Sequence, residues 1–355
     1  MPADLLSQIH LLQTQLDSSG TPQDLKEATN EKLNIVAEMA KRGGEFTREY
    51  DQISHYIDWV INLPWNQRSE DILDINHAKE ALNKSHYGMS EIKDRILEYL
   101  AVLELNIRAA RSQGQNFKTA RAPILFFVGL VGTGKTTIAK SIATAMGRTF
   151  ARIPFGGMGD ALDLRGQSRV RPDAEVGQVI KAMRRSGVKN PVILLDEIDR
   201  VSEHARSDIM GVLVELLDPE QNHAFTDHYI DYPFDLSEVL FVATANNTAN
   251  ISTAVLDRLE VMTMPSYSDA EKITIGKNYL LPKNIAETGL PPSSLTIDDN
   301  VWPQIVRPLG FDAGVRTLNR TVNGMCRKVA RFIVEGQGSE FRITPENVKG
   351  FLPAY

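Results

Sequence analysis

The sequence predicts an α/β protein: a parallel sheet domain over residues 66–265, preceded by a helical domain at 1–65 and followed by a second helical domain at 266–355. Three observations predict it. PILFFVG, PVILLDEID and VLFVATAN are short, nearly continuous apolar runs closed by turn or polar residues, the pattern of strands buried on both faces. Helical patterns such as TTIAKSIATAMG and GQVIKAMRRSG separate those runs, and strands alternating with helices build parallel sheets. At both ends of the chain the apolar spacing turns purely helical.

In chain order, Leu5, Ile9, Leu12 and Leu16 recur at spacings of three and four, as do Ile53, Tyr56, Ile57 and Val60. Leu63-Pro64-Trp65 ends that helical part, which carries no polar cluster suited to chemistry. Ser90 is placed to cap a long helix with Ile92, Ile96, Leu100, Leu103 and Ile107 on one face. That helix fades into RSQGQNFKTARAP, a polar and basic stretch read as a flexible linker. After the α/β part, from about Ser266, the pattern is helical with one short strand at EFRIT.

Composition narrows the function classes. The chain has 355 residues and a net charge of −6, with no stretch dominated by Lys and Arg, which argues against nucleic acid as the main ligand. Its single cysteine, Cys326, permits no disulfide within the chain and no cysteine metal cluster, and reads as a small buried apolar residue. The first residues lack the basic start and apolar core of a signal peptide, and no apolar run could span a bilayer. A reducing, soluble compartment is expected.

Gly129, Gly134, Lys135 and Thr136 satisfy G-x-x-x-x-G-K-[ST], with Val131, Gly132, Thr133 and Thr137 completing the loop and the turn after it. Glycines let backbone N–H groups turn inward around phosphate oxygens, and the following helix adds its positive end. Lys135 reaches the β- and γ-phosphates, and the Thr136 hydroxyl ligates Mg²⁺. Sixty residues on, Asp196 and Glu197 end a buried strand in LLDEID. Asp196 is expected to hold Mg²⁺ through water and Glu197 to polarise the attacking water. Asp199 reads as the cap of the next helix. Asn246, ending VLFVATAN, senses the γ-phosphate or is a turn residue. Arg258 in VLDRLE is an arginine finger or pairs with Asp257 or Glu260, and sequence chemistry leaves both open.

The order of these parts resembles an AAA+ ATPase, and more narrowly the ATPase module of the Lon protease family. HYGMSEIKDRILEYLAV, GRTFARIPFGG, KNPVILLDEID, LLDPEQNHAFTDHYIDYPFDLSEVLFVATAN, VLDRLEV and GVRTLNR carry the resemblance, which runs from about Asp51 to Leu352. It implies ATP and Mg²⁺ as cofactors, assembly into a homo-oligomeric ring, most simply a hexamer, and unfolded or damaged proteins as substrates. It implies that Asn246 is the first sensor, that Arg258 is a finger acting on the neighbouring subunit's nucleotide, and that Arg316 is the second sensor, in a helical lid. His86 and Tyr87 lie where the family packs adenine; a buried structural pair is the alternative. HAFTDHYIDYPFD resembles the hairpin inserted before the first sensor, which is preferred over a metal site at His223 and His228 because no acid has ligand spacing. The implied location is the cytoplasm, or the mitochondrial matrix for an organellar protein.

Departures from the family matter too. Lon ends in a protease domain with a serine–lysine dyad, whereas this chain stops at FLPAY, where the lid should end. An excised fragment or a protease-less relative is implied, and Met1-Pro2 favours the fragment. The P-loop interior is Leu130-Val131 where the family has two prolines, a change that leaves the backbone cradle intact. The first pore loop, GQSRVRPDAEVG, has Arg171 and Pro172 in place of an aromatic and an aliphatic residue, with Asp173 and Glu175 placed to pair with Arg171. Weak grip on substrate is expected, with acidic segments retained best. The rival readings are a scaffolding or regulatory ATPase and a nucleic-acid loader; a GTPase is disfavoured because no N-K-x-D follows a late strand.

Overall fold

The structure, a computed structural model, describes residues 2–41, 47–113, 124–306 and 312–353. Most of the run read as a linker therefore lies outside the described residues, as do the last two residues and the Leu5 side chain.

Five parallel strands form the central sheet: β1 (Ile124–Val128), β2 (Phe150–Pro154), β3 (Val192–Asp196), β6 (Leu240–Ala245) and β7 (Leu259–Thr263), in the spatial order β2-β3-β6-β1-β7. The expected α/β class holds, with all three apolar runs as its central strands. Two more strands flank them. β2 and β7 sit at the edges, where cover is incomplete, so each carries a charged residue (Arg152, Glu260) and exposed positions instead of running buried throughout. Between β3 and β6, HAFTDHYIDYPFD folds as an antiparallel hairpin of β4 (Phe225–Thr226) and β5 (Pro233–Phe234).

Successive strand residues point to opposite faces and build two cores. On one face Leu125, Phe127, Leu194 and Val242 pack under α4 (Ile75–Ser85), α5 (Ser90–Ser112) and α6 (Lys135–Met146). On the other, Phe126, Ile193, Leu195 and Phe241 join α8 (Gln178–Ser186) and α9 (Arg206–Leu217), which follow the short α7 (Leu162–Arg165). That second core continues into α1 (Pro2–Ser18), α2 (Gln23–Lys41) and α3 (Thr47–Ile61) through Ile9, Leu16, Leu33, Ile57 and Val60. Ser90 is the first residue of α5 and not its cap: Gly88 and Met89 both take positive φ, and the Lys93 N–H donates to the Met89 carbonyl.

Short α10 (Thr253–Leu256) precedes β7, and the C-terminal part follows with its own core around Trp302, Leu318, Val322, Met325 and Val329. It comprises α11 (Asp269–Ile275), α12 (Leu281–Glu287), α13 (Trp302–Val306), α14 (Arg316–Val334) and α15 (Val348–Phe351). EFRIT supplies β9 (Phe341–Ile343), which pairs in parallel with β8 (Leu295–Ile297). Cys326 is buried in this core, and burial pushes its thiol up to about 11, so it is an inert apolar filler at neutral pH. Among the described residues no helix is long and apolar enough to cross a membrane.

Candidate nucleotide site

The carboxyl ends of β1, β3 and β6 open onto one side of the sheet, where the order of strands places the turn after β1 beside both neighbours. The Gly129 N–H donates to the Ala245 carbonyl (3.2 Å), and a Cβ there would stand 2.8 Å from the Met264 carbonyl oxygen. Only glycine fits. Gly132 and Gly134 hold φ of 84° and 98°, so the loop curls through conformations other residues avoid. Thr133 is buried and donates to the Leu130 carbonyl (2.9 Å), closing the curl from inside.

Lys135 opens α6 and folds back over the loop. Its Nζ donates to the carbonyls of Gly129 (2.6 Å) and Leu130 (3.1 Å) and to Asn246 Oδ1 (3.1 Å). Burial lowers its pKa, while the carboxylates of Glu197, Asp196 and Asp199 act in the opposite sense. It is a desolvated cation without an ion pair among the described residues. The Asn246 Nδ2 is buried with no hydrogen-bond partner among the described residues, an uncommon state for a side-chain donor, and it belongs to a residue lining the cavity.

Asp196, 4% exposed, accepts from the Thr244 hydroxyl (2.5 Å) and from Arg152 on β2 (2.7 Å). Glu197 takes φ of 59°, its N–H donating to Thr244 Oγ1 (3.0 Å), which turns its side chain away from the strand line. Asp199 caps no helix. Its buried Oδ2 accepts from the N–H groups of Asn246 (3.1 Å) and Asn247 (3.4 Å), a tertiary contact that shapes the turn after β6.

Two further walls close the site. At the end of α4, His86 is buried with its ring edge against Gly134, and Tyr87 is 38% exposed beside it. Burial holds the imidazole down to about 4, so it is neutral at physiological pH. From the C-terminal part, the Val315 N–H donates to the Gly132 carbonyl (3.0 Å), and a Cβ on Gly314 would stand 2.3 Å from the Gly132 carbonyl carbon. Arg316, the first residue of α14, follows directly.

One cavity of about 730 Å³ is thereby lined by His86, Tyr87, Val131, Gly132, Gly134, Lys135, Thr136, Thr137, Asp196, Glu197, Asn246 and Arg316. Gly129 and Thr133 support its floor from behind. Arg258 does not line it: its guanidinium pairs with Asp218 (2.9 Å) and donates to the Ala254 carbonyl, while Glu260 pairs with Arg95. The cavity also takes Arg152, Tyr267, Tyr279, Lys283 and Asn319, which sequence reasoning missed. Of these only Arg152 left a signal, as the charged residue of an otherwise apolar FARIP. The glycine curl, the unsatisfied Asn246 donor and the desolvated Lys135 fit a nucleotide phosphate chain, and the volume suits a ligand of that size.

Comparison with known proteins agrees in two steps. Residues 125–266 match the family model described as ATPase family associated with various cellular activities (AAA), so the fold and site define an AAA ATPase. Residues 286–341 match the Lon protease AAA+ ATPase lid domain. The chain is 42% identical over 349 residues to Lon protease of Lawsonia intracellularis, covering 98% of this chain and 40% of that protein. It is 41% identical over 338 residues to Lon protease 2 of Thermus thermophilus (95% and 42%) and 40% identical over 345 residues to Lon protease 1 of Bacillus subtilis (97% and 43%). It spans about two-fifths of the length of these relatives. Residues 125–266 are thus an AAA ATPase domain, and residues 286–341 match the lid that accompanies it in Lon proteases.

Proposed function

We propose that this chain binds Mg·ATP between its glycine curl and its C-terminal lid, hydrolyses it in a homo-oligomeric ring, and couples hydrolysis to the unfolding and translocation of unfolded or damaged protein. The observation that carries the reading is the convergence of Lys135, the Asp196–Glu197 pair, Asn246 and Arg316, from the ends of four elements, on one cavity.

Lys135 compensates β- and γ-phosphate charge from inside the curl. Thr136 and Asp196 are the residues that would hold Mg²⁺, directly and through water. When bound, Mg·ATP supplies the phosphoanhydride and the charge neutralisation that hydrolysis needs. Glu197 accepts a proton from the attacking water, Asn246 orients that water, and Arg316 reads the γ-phosphate from the lid. His86 and Tyr87 pack the base. Arg258 lies outside its own cavity, which suits a finger donated to the neighbouring subunit and a ring, most simply a hexamer. The domains that serve these tasks are 1–65, 66–265 and the lid at 266–355, working in the cytoplasm or an organelle matrix.

A second reading, a scaffolding ATPase that assembles without pulling, is favoured by one observation: Arg171 and Pro172 are both exposed in the loop that would grip substrate. Phosphate release measured together with loss of fluorescence from a folded reporter separates the two. Hydrolysis with unfolding supports the motor, and hydrolysis without it supports the scaffold. Tight filter binding of DNA would favour a nucleic-acid loader instead.

A further inference from the structure

In the C-terminal part, α11 and α12 run into one another through a wide π turn, Gly276–Leu280, a feature that often marks functional sites. Close packing fixes it: a Cβ on Gly276 would stand 2.4 Å from the Trp302 ring. Tyr279 and Leu280, from this turn, line the nucleotide cavity, and so does Asn319 on α14.

A chain of asparagine amides joins the two helices. Asn284, 1% exposed on α12, donates from Nδ2 to the Leu280 carbonyl (2.7 Å) and to Asn319 Oδ1 (2.9 Å). Its own Oδ1 accepts from Asn323 Nδ2 (2.8 Å). A backbone carbonyl can only accept, so the Leu280 oxygen fixes which end of the Asn284 amide faces it. Asn284 in turn fixes the other two. Asn319 must give its oxygen to Asn284, which leaves its Nδ2 hydrogens as the group it offers the cavity. Among the described residues that Nδ2 has no acceptor. A lone asparagine could present either end to a ligand; this one is held as a donor.

Its position along α14 says what it meets. Arg316 and Asn319, three residues apart, share one face of the helix. A Cβ on Gly132 would stand 3.2 Å from the Arg316 Cβ, so Arg316 stands at the curl and Asn319 lies about 4.5 Å further along the helix axis. Phosphates meet cations in this cavity, Lys135 and Arg316, and the base meets His86 and Tyr87. A neutral donor one turn beyond the arginine suits the hydroxyls between phosphates and base.

We propose that Asn319, held as a donor by Asn284, hydrogen-bonds a ribose hydroxyl of the bound nucleotide and so selects ribonucleotides over deoxynucleotides. The proposal rests on the reading that the cavity binds an adenine nucleotide, and it names the sugar that is taken. Asn319 touches the ligand; Asn284 and Asn323 are positioning residues.

Calorimetric titration of the full chain with ADP, 2′-deoxy-ADP and 3′-deoxy-ADP tests it, without turnover and without a label on the sugar. The native chain is expected to bind ADP about five-fold tighter than one of the two deoxy nucleotides, the worth of one neutral hydrogen bond. Which of them binds more weakly identifies the hydroxyl. Asn319→Ala should lose about five-fold for ADP and nothing for that deoxy nucleotide, so the discrimination disappears. Asn284→Leu, which frees the Asn319 amide to turn, should lower the same discrimination, and adding Asn319→Ala to it should change ADP affinity no further. Melting temperatures without nucleotide report whether each variant is folded, and Asn319→Ala, at a half-buried position, carries the test if Asn284→Leu does not fold. Unchanged ADP affinity in Asn319→Ala, or an equal loss for all three nucleotides, overturns the assignment. Tight ADP binding by the native chain with no preference for ribose removes the sugar contact and keeps the site. No binding of ADP at all removes the nucleotide site itself.

Discussion

The guanidinium of Arg152 and the carboxylate of Asp196 lie 2.6–2.7 Å apart, joining edge strand β2 to central strand β3 at the mouth of the nucleotide cavity. Both contacts fall on the same oxygen, Oδ2, so the carboxylate proposed to hold Mg²⁺ is already engaged. Arg152 would therefore compete with metal-bound water for that oxygen. Because its side chain is half exposed, its hold is weak, on the order of 1 kcal/mol. Arg152→Gln should therefore lower the Mg²⁺ concentration needed for half-maximal nucleotide binding by about two- to five-fold. A magnesium titration of a fluorescent ATP analogue reads this directly, and an unchanged midpoint removes the competition.

Lys135, Glu197 and Arg258 should fail in different ways. Lys135→Ala loses nucleotide affinity because phosphate charge goes uncompensated. Glu197→Gln keeps affinity and loses roughly 10²–10⁴-fold in turnover, the worth of a positioned base. Arg258→Ala also binds normally and loses about 10³–10⁵-fold. Analogue titration alongside phosphate release checks all three, and equal loss of binding would falsify the assigned roles.

Turnover should need neighbours. Arg258 is paired with Asp218 and stands outside its own cavity, so specific activity is expected to rise with protein concentration. Mixing Lys135→Ala chains with Arg258→Ala chains should restore part of the lost turnover, since some interfaces then join an intact curl to an intact finger. Concentration-independent turnover with no rescue points to a self-contained site.

Replacing Arg171-Pro172 with Tyr-Ile should improve coupling without changing nucleotide affinity. An aromatic side chain grips polypeptide through apolar area whatever its sequence, whereas a guanidinium is costly to desolvate against apolar segments and proline stiffens the backbone. The measurement is ATP consumed per neutral folded reporter unfolded. Equal efficiency for both loops would mean that the native loop already grips fully.

His86 makes stability depend on pH in a defined window. Its folded pKa is about 4 because burial disfavours the cation, against an ordinary value of 6.5. The unfolded chain takes up this proton first, so the contribution is complete above about pH 6.5 and fades as pH falls towards 4. At most about 3 kcal/mol is involved. The melting temperature of the native chain should fall relative to that of His86→Phe as pH drops through this range. Parallel curves for the two proteins would place the imidazole in water.

How much of this was legible in the sequence follows from where each signal resides. β1, β3 and β6 are buried on both faces and announce themselves as apolar runs; β2 and β7 are incompletely covered, and five residues broken by a charge are too few to separate from a loop. The glycine curl was legible because phosphate binding constrains consecutive backbone atoms. Asp199 and Arg171 were misread for one reason: local rules paired them with near neighbours, whereas Asp199 serves the turn after β6, and Glu175, the acid expected for Arg171, serves Lys181. Arg152 has no role that local sequence could assign, because its ion pair exists only where β2 lies beside β3.

The contact between Gly314 and Gly132 turns the lid into a lever. The Val315 N–H grips the Gly132 carbonyl immediately before Arg316, so the fulcrum of α14 rests on the curl itself. Over its 19 residues the helix extends about 28 Å, and a tilt of about 5° at the fulcrum sweeps the far end through roughly 2.5 Å. That end carries Val334, 88% exposed. A shift of one peptide in the curl, too small to matter on its own, therefore becomes a displacement as large as an atom's diameter at the opposite rim of the lid, where a neighbouring body could feel it as a push.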